Sequence, residues 1–219
     1  MASQTEENYL KALYHLSQEA TDVNITSLSN LMEVSLPTVN SMVNNLKRQG
    51  LVSYEKYKPL SLTKKGQKEA ALVLRKHRLT EMYLVDKMGF GWDEVHEIAE
   101  QIEHINSPAF FDRMDTLLGF PKIDPHGSPI PDMNGKVIKE SYPKLSEFSV
   151  GSKVKLMALG HSSNEFLKFL TTRDLQLGVT LKIIAIESFD NSMTLKYKGH
   201  PTEIFSHTVC EKLLVEGVG

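Results

Sequence analysis

The sequence contains little cysteine and no long apolar run. Cys210 is the only cysteine among 219 residues, so an internal disulfide is impossible, as is typical of proteins from reducing compartments. No apolar run approaches the roughly 20 residues that a membrane helix needs, and the N-terminus lacks the basic and apolar segments of a secretory signal. We therefore expect a cytoplasmic protein without membrane spans, with one large domain or two smaller ones.

A strong net charge is also absent. The formal charge is −2, which argues against a general binder of polyanions. The charges are nevertheless segregated along the chain. Between Val43 and Lys68 there are seven basic residues and one acidic residue, whereas between Glu81 and Asp124 there are ten acidic and three basic residues. This segregation predicts one surface for phosphates and another for cations.

The N-terminal third has the pattern of a winged helix-turn-helix. Its predicted elements are a first helix with a capping box at residues 3–6, a second helix from Thr26, a third helix capped by Ser35 and ending at Gly50, and a short β-hairpin at residues 51–62. In such modules the second helix of the motif enters the major groove of DNA and presents its early side chains to base edges.

The predicted recognition helix carries small hydrogen-bonding side chains, and lysines follow at its end and at the hairpin tip. Lysines in these positions would neutralise phosphates and make DNA binding dependent on salt. The alternative is a solvated polar helix face beside a lysine-bearing turn. The predicted DNA contacts are Thr26, Ser35, Pro37, Thr38, Asn40, Ser41, Asn44, Lys47, Lys56 and Lys58.

The rest of the chain predicts further helices and then a β-rich region. A long helix opens at Thr63 and ends at Gly89, and two more helices are predicted over residues 93–105 and 107–118. Five prolines within residues 121–144 indicate an irregular linker. Short alternating runs after the linker predict a small barrel or sandwich, in which Cys210 is a packed residue.

Potential metal ligands lie in the acidic middle of the chain. At 100° per residue, two carboxylates and two imidazoles share one face of the helix over residues 93–105, and a divalent cation would relieve their mutual repulsion. The alternative for each residue is an exposed helix position. Donors without sulfur suit Mn²⁺ or Fe²⁺ better than structural Zn²⁺. The potential ligands are His96, Glu100, Glu103 and His104 on this face, His77 and Glu81 on the preceding helix, and Asp124 and His126 in the linker.

These motifs are similar to those of one family. The chain resembles the diphtheria toxin repressor family of metal-dependent regulators, in particular the manganese-type members that have a C-terminal SH3-like domain. The resemblance extends over nearly the whole length. The segments that carry it are Glu7-Asn-Tyr-Leu10, Ser35-Leu-Pro-Thr-Val39, Arg75-Lys-His-Arg-Leu-Thr-Glu81, Val95-His96, Glu100-Gln-Ile-Glu-His104 and Leu118-Gly-Phe-Pro-Lys-Ile-Asp-Pro-His-Gly127.

The resemblance implies two metal sites in each subunit of a homodimer. The activating site would be formed by Glu100, Glu103 and His104 with Asn8 from the first helix. The other would be formed by His77, Glu81 and His96, or by Asp124 and His126, with a donor from the C-terminal domain that we expect to be Glu165. Relatives have Asp or Met at the position of Asn8, and iron-type relatives have Cys at that of Glu100, so Glu100 favours the manganese type.

We therefore expect a mainly α fold with a small β content. The expected domains are a winged helix-turn-helix at 1–72, a helical metal-binding and dimerisation domain with its linker at 73–143, and an SH3-like domain at 144–219. The expected function, which includes control of metal-uptake genes, is that of a repressor that binds a palindromic operator as a dimer when loaded with Mn²⁺ or Fe²⁺. The predicted dimer interface consists of residues whose alternative, which does not exclude the interface, is the core of the subunit itself: Leu79, Tyr83, Leu84, Phe110, Phe111 and Leu117.

Two other functions are compatible with parts of the pattern. A metal-independent winged-helix regulator would bind its operator equally well in chelator. A metallohydrolase would also use carboxylates and histidines, but the sequence has no HExxH helix or nucleophile elbow, and a basic hairpin would have no role in it. We therefore do not expect an enzyme.

Overall fold

The computed structural model describes residues 3–19, 22–55, 58–138, 140–160 and 162–218. The chain divides into two compact units. The first comprises Met1–Thr80, Glu97–Lys122 and Ile130–Ile138, and the second comprises Glu81–His96, Ile123–Pro129 and Lys139–Gly219. Among the described residues, no helix combines the length and the apolar character needed to cross a bilayer.

The described residues form eight α-helices and seven strands. The helices are α1 (Gln4–Glu19), α2 (Ile25–Met32), α3 (Leu36–Arg48), α4 (Lys64–Met88), α5 (His96–Ile102), α6 (Pro108–Leu117), α7 (Asn164–Thr171) and α8 (His207–Cys210). The strands are β1 (Val52–Ser53), β2 (Ser61–Leu62), β3 (Lys153–Leu159), β4 (Thr180–Ile186), β5 (Met193–Tyr197), β6 (His200–Phe205) and β7 (Leu213–Gly217).

The predicted helix caps of the first unit are present, with one correction. The Glu6 carboxylate accepts the Ser3 N–H at 2.8 Å, which starts α1, and the side chain of Ser35 caps α3. The prediction that the second helix begins at Thr26 was wrong by one residue. Asn24 caps α2 and exchanges hydrogen bonds with Ser27, so the helix begins at Ile25.

The predicted recognition helix, α3, packs into the core through its apolar face. Val39, Val43 and Leu46 recur at helical spacing and are fully buried with Leu10 and Leu28 of the neighbouring helices. The opposite, polar face of α3 is therefore exposed to solvent.

The predicted hairpin is present but short. β1 and β2 pair in antiparallel fashion, with Val52 opposite Leu62 and Ser53 opposite Ser61. Of the two predicted hairpin lysines, Lys56 lies outside the described residues, and Lys58 forms an exposed ion pair with Glu55 at 2.6 Å. Such an exposed pair contributes little to stability, so Lys58 can exchange its partner at low cost.

The helix predicted over residues 93–105 is shorter in the structure, where α5 spans His96–Ile102. A turn precedes it, in which the Glu94 N–H donates to the Gly91 carbonyl and the Gly91 N–H donates to the Glu94 carboxylate. This turn occupies residues 91–94, and the regular helix begins only at His96. Glu103 and His104 lie in a turn after α5, and Ser107 precedes α6 without a side-chain capping bond.

The second unit contains a five-stranded antiparallel sheet. Its strand order is β6-β5-β4-β3-β7, which is consistent with the predicted SH3-like domain and confirms the fold class. Alternate residues of the strands, including Leu156, Ile183 and Leu195, are fully buried under α7 and α8 in one core. Cys210 is buried in this core as predicted, and burial raises the pKa of its thiol to about 11.

Candidate metal centres and nucleic-acid interface

Three potential ligands converge in the first unit. One donor atom from each of His77, Glu100 and Glu103 lies within 4.8 Å of the others. His77 donates from Nδ1 to Glu103 Oε2 at 2.6 Å, and the same nitrogen lies 3.8 Å from Glu100 Oε1. We refer to Glu7, Lys11, His77, Glu100, Glu103 and His104 as the first cluster.

His104 is oriented in the first cluster by a glutamate from α1. A carboxylate can only accept, so the Nδ1–H of His104 donates to Glu7 Oε2 at 2.6 Å. In the neutral ring this leaves the lone pair on Nε2, which lies 3.6 Å from Glu103 Oε1. Metal-binding histidines commonly donate their other ring N–H to a carboxylate in this way. The side chain of His104 is thus prepared for ligation through Nε2.

Lys11 contributes a positive charge to the first cluster. Its ammonium donates to Glu103 Oε1 at 2.7 Å and makes a second, shorter contact with Glu100 Oε1. Glu103 is completely buried. Burial opposes its ionisation, but the hydrogen bond from His77 and the charge of Lys11 outweigh burial and hold the pKa of Glu103 below its usual value.

Asn8 lies on the α1 turn that carries Glu7 and Lys11. Its Oδ1 is buried, and none of the described residues supplies a hydrogen-bond donor to it. A buried carbonyl oxygen without a donor is costly, and a cation would remove that cost. Asn8 therefore has the chemistry that the sequence analysis assigned to it, although an amide oxygen carries no charge.

A separate group of ligands lies in the second unit. Donor atoms of Glu81, Asp124 and His126 lie within 4.8 Å of one another, and all three residues are buried. His96 lies beside them, with Nδ1 3.3 Å from Glu81 Oε1, and half of its side chain is exposed. We refer to Glu81, His96, Asp124 and His126 as the second cluster.

The tautomer of His126 is fixed by a backbone carbonyl. The carbonyl of Trp92 can only accept, so the Nε2–H of His126 donates to it at 2.9 Å. The lone pair of the neutral ring is then on Nδ1, which lies 3.7 Å from Glu81 Oε2 and 3.9 Å from Asp124 Oδ1. Three acceptor atoms therefore face one another, an arrangement that a cation would stabilise.

The loop that carries Asp124 and His126 is held in place by hydrogen bonds within the loop and by a hydrogen bond to β3. Asp124 Oδ1 accepts the N–H groups of His126 and Ser128 at 2.8 and 2.9 Å, and the His126 carbonyl accepts the Leu159 N–H at 3.0 Å. Gly127 has a φ of +86°, and a Cβ at this position would lie 2.5 Å from the Cα of Ala158. Only glycine allows the loop to approach β3 so closely.

Several of the predicted ligands lie close to one another in the structure. His77, assigned in the sequence analysis to the second site, contacts Glu103 of the first cluster. His96 and the pair Asp124 and His126, offered there as alternatives, both lie beside Glu81. Glu165 is exposed in the first turn of α7 and belongs to none of the ligand groups formed by the described residues.

Sequence reasoning missed Glu7 and Lys11 as members of the first cluster. Glu7 was recognised only as part of a family motif, and Lys11 was not singled out. The available signal was their spacing, because residues 7, 8 and 11 share one face of α1. Only Asn8 of this face was assigned a ligand role, through the resemblance, because the partners of Glu7 and Lys11 on α4 and on and after α5 are distant in sequence.

The predicted DNA contacts within the described residues lie on exposed surfaces of the first unit. Asn40, Ser41, Asn44 and Lys47 project from the polar face of α3, opposite its buried stripe. Ser35, Pro37 and Thr38 are exposed in its first turn, and Thr26 is exposed on α2. The arrangement presents small polar groups at the start of the helix and cations at its end.

Two profiles of known protein domains match the chain, one over the helix-turn-helix region and the other over most of the predicted metal ligands. The family profile "Iron dependent repressor, N-terminal DNA binding domain" matches residues 1–60. The profile "Iron dependent repressor, metal binding and dimerisation domain" matches residues 63–132, which include both clusters except Glu7 and Lys11 of α1. The chain belongs to the iron-dependent repressor family. It is a metal-dependent transcriptional repressor, as the sequence analysis predicted.

Relatives of this repressor include both iron- and manganese-dependent proteins. The iron-dependent repressor IdeR of Mycobacterium leprae is 28% identical over 98% of this chain and 97% of its own. A manganese-dependent transcriptional repressor in complex with manganese has a TM-score of 0.86 at 28% identity, covering 97% of this chain and 99% of its own. ScaR with bound Zn²⁺ has a TM-score of 0.77 at 32% identity, with coverage of 97% and 99%.

Proposed function

We propose that the repressor binds a palindromic operator as a homodimer when Mn²⁺ or Fe²⁺ is held by its two clusters. The single observation that carries this proposal is the orientation of His104 and His126. Each donates one ring N–H to a protein oxygen and directs its other nitrogen at carboxylate oxygens. The proposal is further supported by relatives that are iron-dependent or contain manganese.

The donor sets fit these metals. In the first cluster Glu100, Glu103 and His104 would hold the ion with Asn8, and His77 would orient Glu103. In the second cluster Glu81, Asp124 and His126 would hold the ion, and the exposed side chain of His96 could bind to the same ion. Oxygen and imidazole donors without sulfur suit Mn²⁺ and Fe²⁺, and a bound cation would supply the positive charge that offsets the crowded carboxylates.

The first cluster would couple metal binding to the position of the recognition helix. Its side chains come from α1, which packs in the core of the recognition helix, and from α4 and the α5 region. Holding these elements together would favour one spacing of two recognition helices in a dimer, so that both half-sites are contacted at once. We propose no catalytic role for the clusters, since the family consists of transcriptional repressors.

The proposed dimer interface uses the apolar surface of α6 and its flanks. Phe110 and Leu117, both expected in the interface, are 40% and 59% exposed, and Ile105 and Phe120 beside them are 42% and 59% exposed. Leu79, Leu84 and Phe111 are buried within the subunit, which is the alternative that the sequence left open for them. Burial of the exposed group in a symmetric contact would remove a large apolar patch from water.

Lys47 provides a test of the DNA interface. We expect Lys47→Gln to weaken binding to all duplexes and to lower the slope of log K against log salt by about two, because each subunit of the dimer loses one phosphate contact. The measurement is fluorescence anisotropy with a duplex selected from a random pool in Mn²⁺. Lys168→Gln, an exposed lysine of α7, is the matched control. An unchanged slope in Lys47→Gln would exclude this contact.

Metal content tests the two clusters. We expect the metal-free full-length chain to bind two Mn²⁺ per subunit in calorimetry, and crystals soaked in Mn²⁺ to show an anomalous peak at each cluster. Asp124→Asn should remove only the second peak. Binding of Mn²⁺ elsewhere, with both clusters empty, would refute the assignment.

A further inference from the structure

We propose that Lys11 is a built-in competitor for the metal of the first cluster, because its ammonium lies where a cation bound by Glu100 and Glu103 would have to lie. The inference rests on the proposed metal site and adds a residue that sets its affinity. On this view the repressor fills its first cluster only at a metal concentration that displaces Lys11 from the two carboxylates.

The contacts show that Lys11 uses the oxygens that face the histidines. Its ammonium contacts Oε1 of Glu103 at 2.7 Å and Oε1 of Glu100. His104 Nε2 lies 3.6 Å from that same oxygen of Glu103, and His77 Nδ1 lies 3.8 Å from that same oxygen of Glu100. A cation that bridged these carboxylates and His104 would share its oxygens with an ammonium. Two cations at such close range repel each other strongly.

Burial makes this competition effective. The side chain of Lys11 is only 11% exposed, so its charge is weakly screened by water. A buried lysine is retained when it is paired, and here it is paired with two carboxylates that would otherwise repel each other. Lys11 therefore stabilises the metal-free chain by the same contacts that oppose metal binding.

The stem of Lys11 allows the exchange. Four methylene groups separate the ammonium from the backbone, and rotation about them can carry the charge to solvent while the stem remains packed. α1 need not move, so Glu7 and Asn8 on the same helical face can keep their places beside the metal. Displacement of Lys11 breaks its two contacts with Glu100 and Glu103, so that these carboxylates can bind a metal ion.

The test compares Lys11→Met, which keeps the length of the side chain without its charge, with Lys11→Arg, which keeps the charge. Calorimetric titration of the metal-free full-length proteins with Mn²⁺ should show about tenfold tighter binding at the first cluster for Lys11→Met. Lys11→Arg should bind Mn²⁺ no more tightly than the wild type. The component that Glu103→Gln removes from the titration identifies the first cluster.

Thermal unfolding separates competition from a merely structural role. In chelator, Lys11→Met should unfold at a lower temperature than the wild type, and saturating Mn²⁺ should raise its Tm by more than it raises that of the wild type. A lysine that only supports the fold would lower the Tm equally with and without Mn²⁺ and leave the metal affinity unchanged. That result would overturn the inference.

Acylation of wild-type Lys11 gives a measurement that does not depend on a folded variant. Its modification, followed by mass spectrometry, should become faster when Mn²⁺ is added, whereas that of the exposed Lys168 should not change. Equal rates at Lys11 would overturn the inference. If the wild type binds Mn²⁺ and Glu103→Gln does not, but Lys11→Met binds no tighter, only the role of Lys11 fails. If Glu103→Gln binds Mn²⁺ like the wild type, the proposed site fails as well.

Discussion

Replacing Glu103 with glutamine is expected to weaken Mn²⁺ binding at the first cluster by about a hundredfold or more. Glu103 is the most buried carboxylate of the cluster, and its two oxygens face Lys11, His77 and His104. Glutamine keeps the shape but removes the charge, and its amide nitrogen would point a donor at the metal or at His77. Calorimetry with Mn²⁺ measures the loss directly, and DNA binding should be lost at Mn²⁺ concentrations that saturate the wild type.

Glu97→Gln is the matched control for this change. Glu97 lies in the first turn of α5, the helix that ends just before Glu103, but it is exposed and outside both clusters. Because the change in net charge is identical, Glu97→Gln should bind Mn²⁺ and DNA like the wild type. Should Glu103→Gln behave like this control, the first cluster would not be the activating site.

The second large effect is expected on folding and concerns an ion pair outside the clusters. Arg75 donates to Asp115 Oδ2 at 2.5 Å and to the Pro131 carbonyl at 2.7 Å. The two charged side chains are 13% and 9% exposed. Asp115→Ala would leave a buried guanidinium without its counter-charge, so the free energy of unfolding should fall by about 3–5 kcal/mol. Urea denaturation of the metal-free protein measures it.

Asp112 supplies the control for this prediction. It lies one turn earlier on α6 and is exposed, so Asp112→Ala should change the free energy of unfolding by less than about 0.5 kcal/mol. The double variant Arg75→Met with Asp115→Ala should regain part of the lost stability, because no buried charge is left unpaired. Equal stability of Asp115→Ala and Asp112→Ala would show that the buried pair contributes nothing.

Local signals in the sequence were sufficient for most of the fold. The capping box at Ser3 and Glu6, the cap at Ser35 and the apolar spacing of Val39, Val43 and Leu46 each depend on residues within a few positions. The same holds for the hairpin after α3. The boundaries of α5 were missed because a separate turn precedes the helix, and apolar periodicity alone does not distinguish such a turn from a helical one.

The candidate sites were only partly predictable because their contacts are long-range. Lys11 and Glu103 are separated by 92 positions in the sequence, and His126 and its partner Trp92 by 34. The residue types of the ligands could be found from the sequence, since acids and histidines recur on helical faces. Which nitrogen of each histidine faces the carboxylates depends on Glu7 and on the Trp92 carbonyl, which only the tertiary structure brings into contact. The three domain boundaries and the individual site residues stay predictions.

Coupling of metal binding to DNA binding is tested most directly by one titration. A palindromic duplex selected from a random pool in Mn²⁺ is titrated with the full-length wild type, once in chelator and once in saturating Mn²⁺, and its fluorescence anisotropy is followed. We expect the Kd to fall by roughly a hundredfold in Mn²⁺, and this gain to be absent in Glu103→Gln. Equal affinity in chelator and in Mn²⁺ would contradict a metal-dependent switch and favour a regulator that binds its operator without metal.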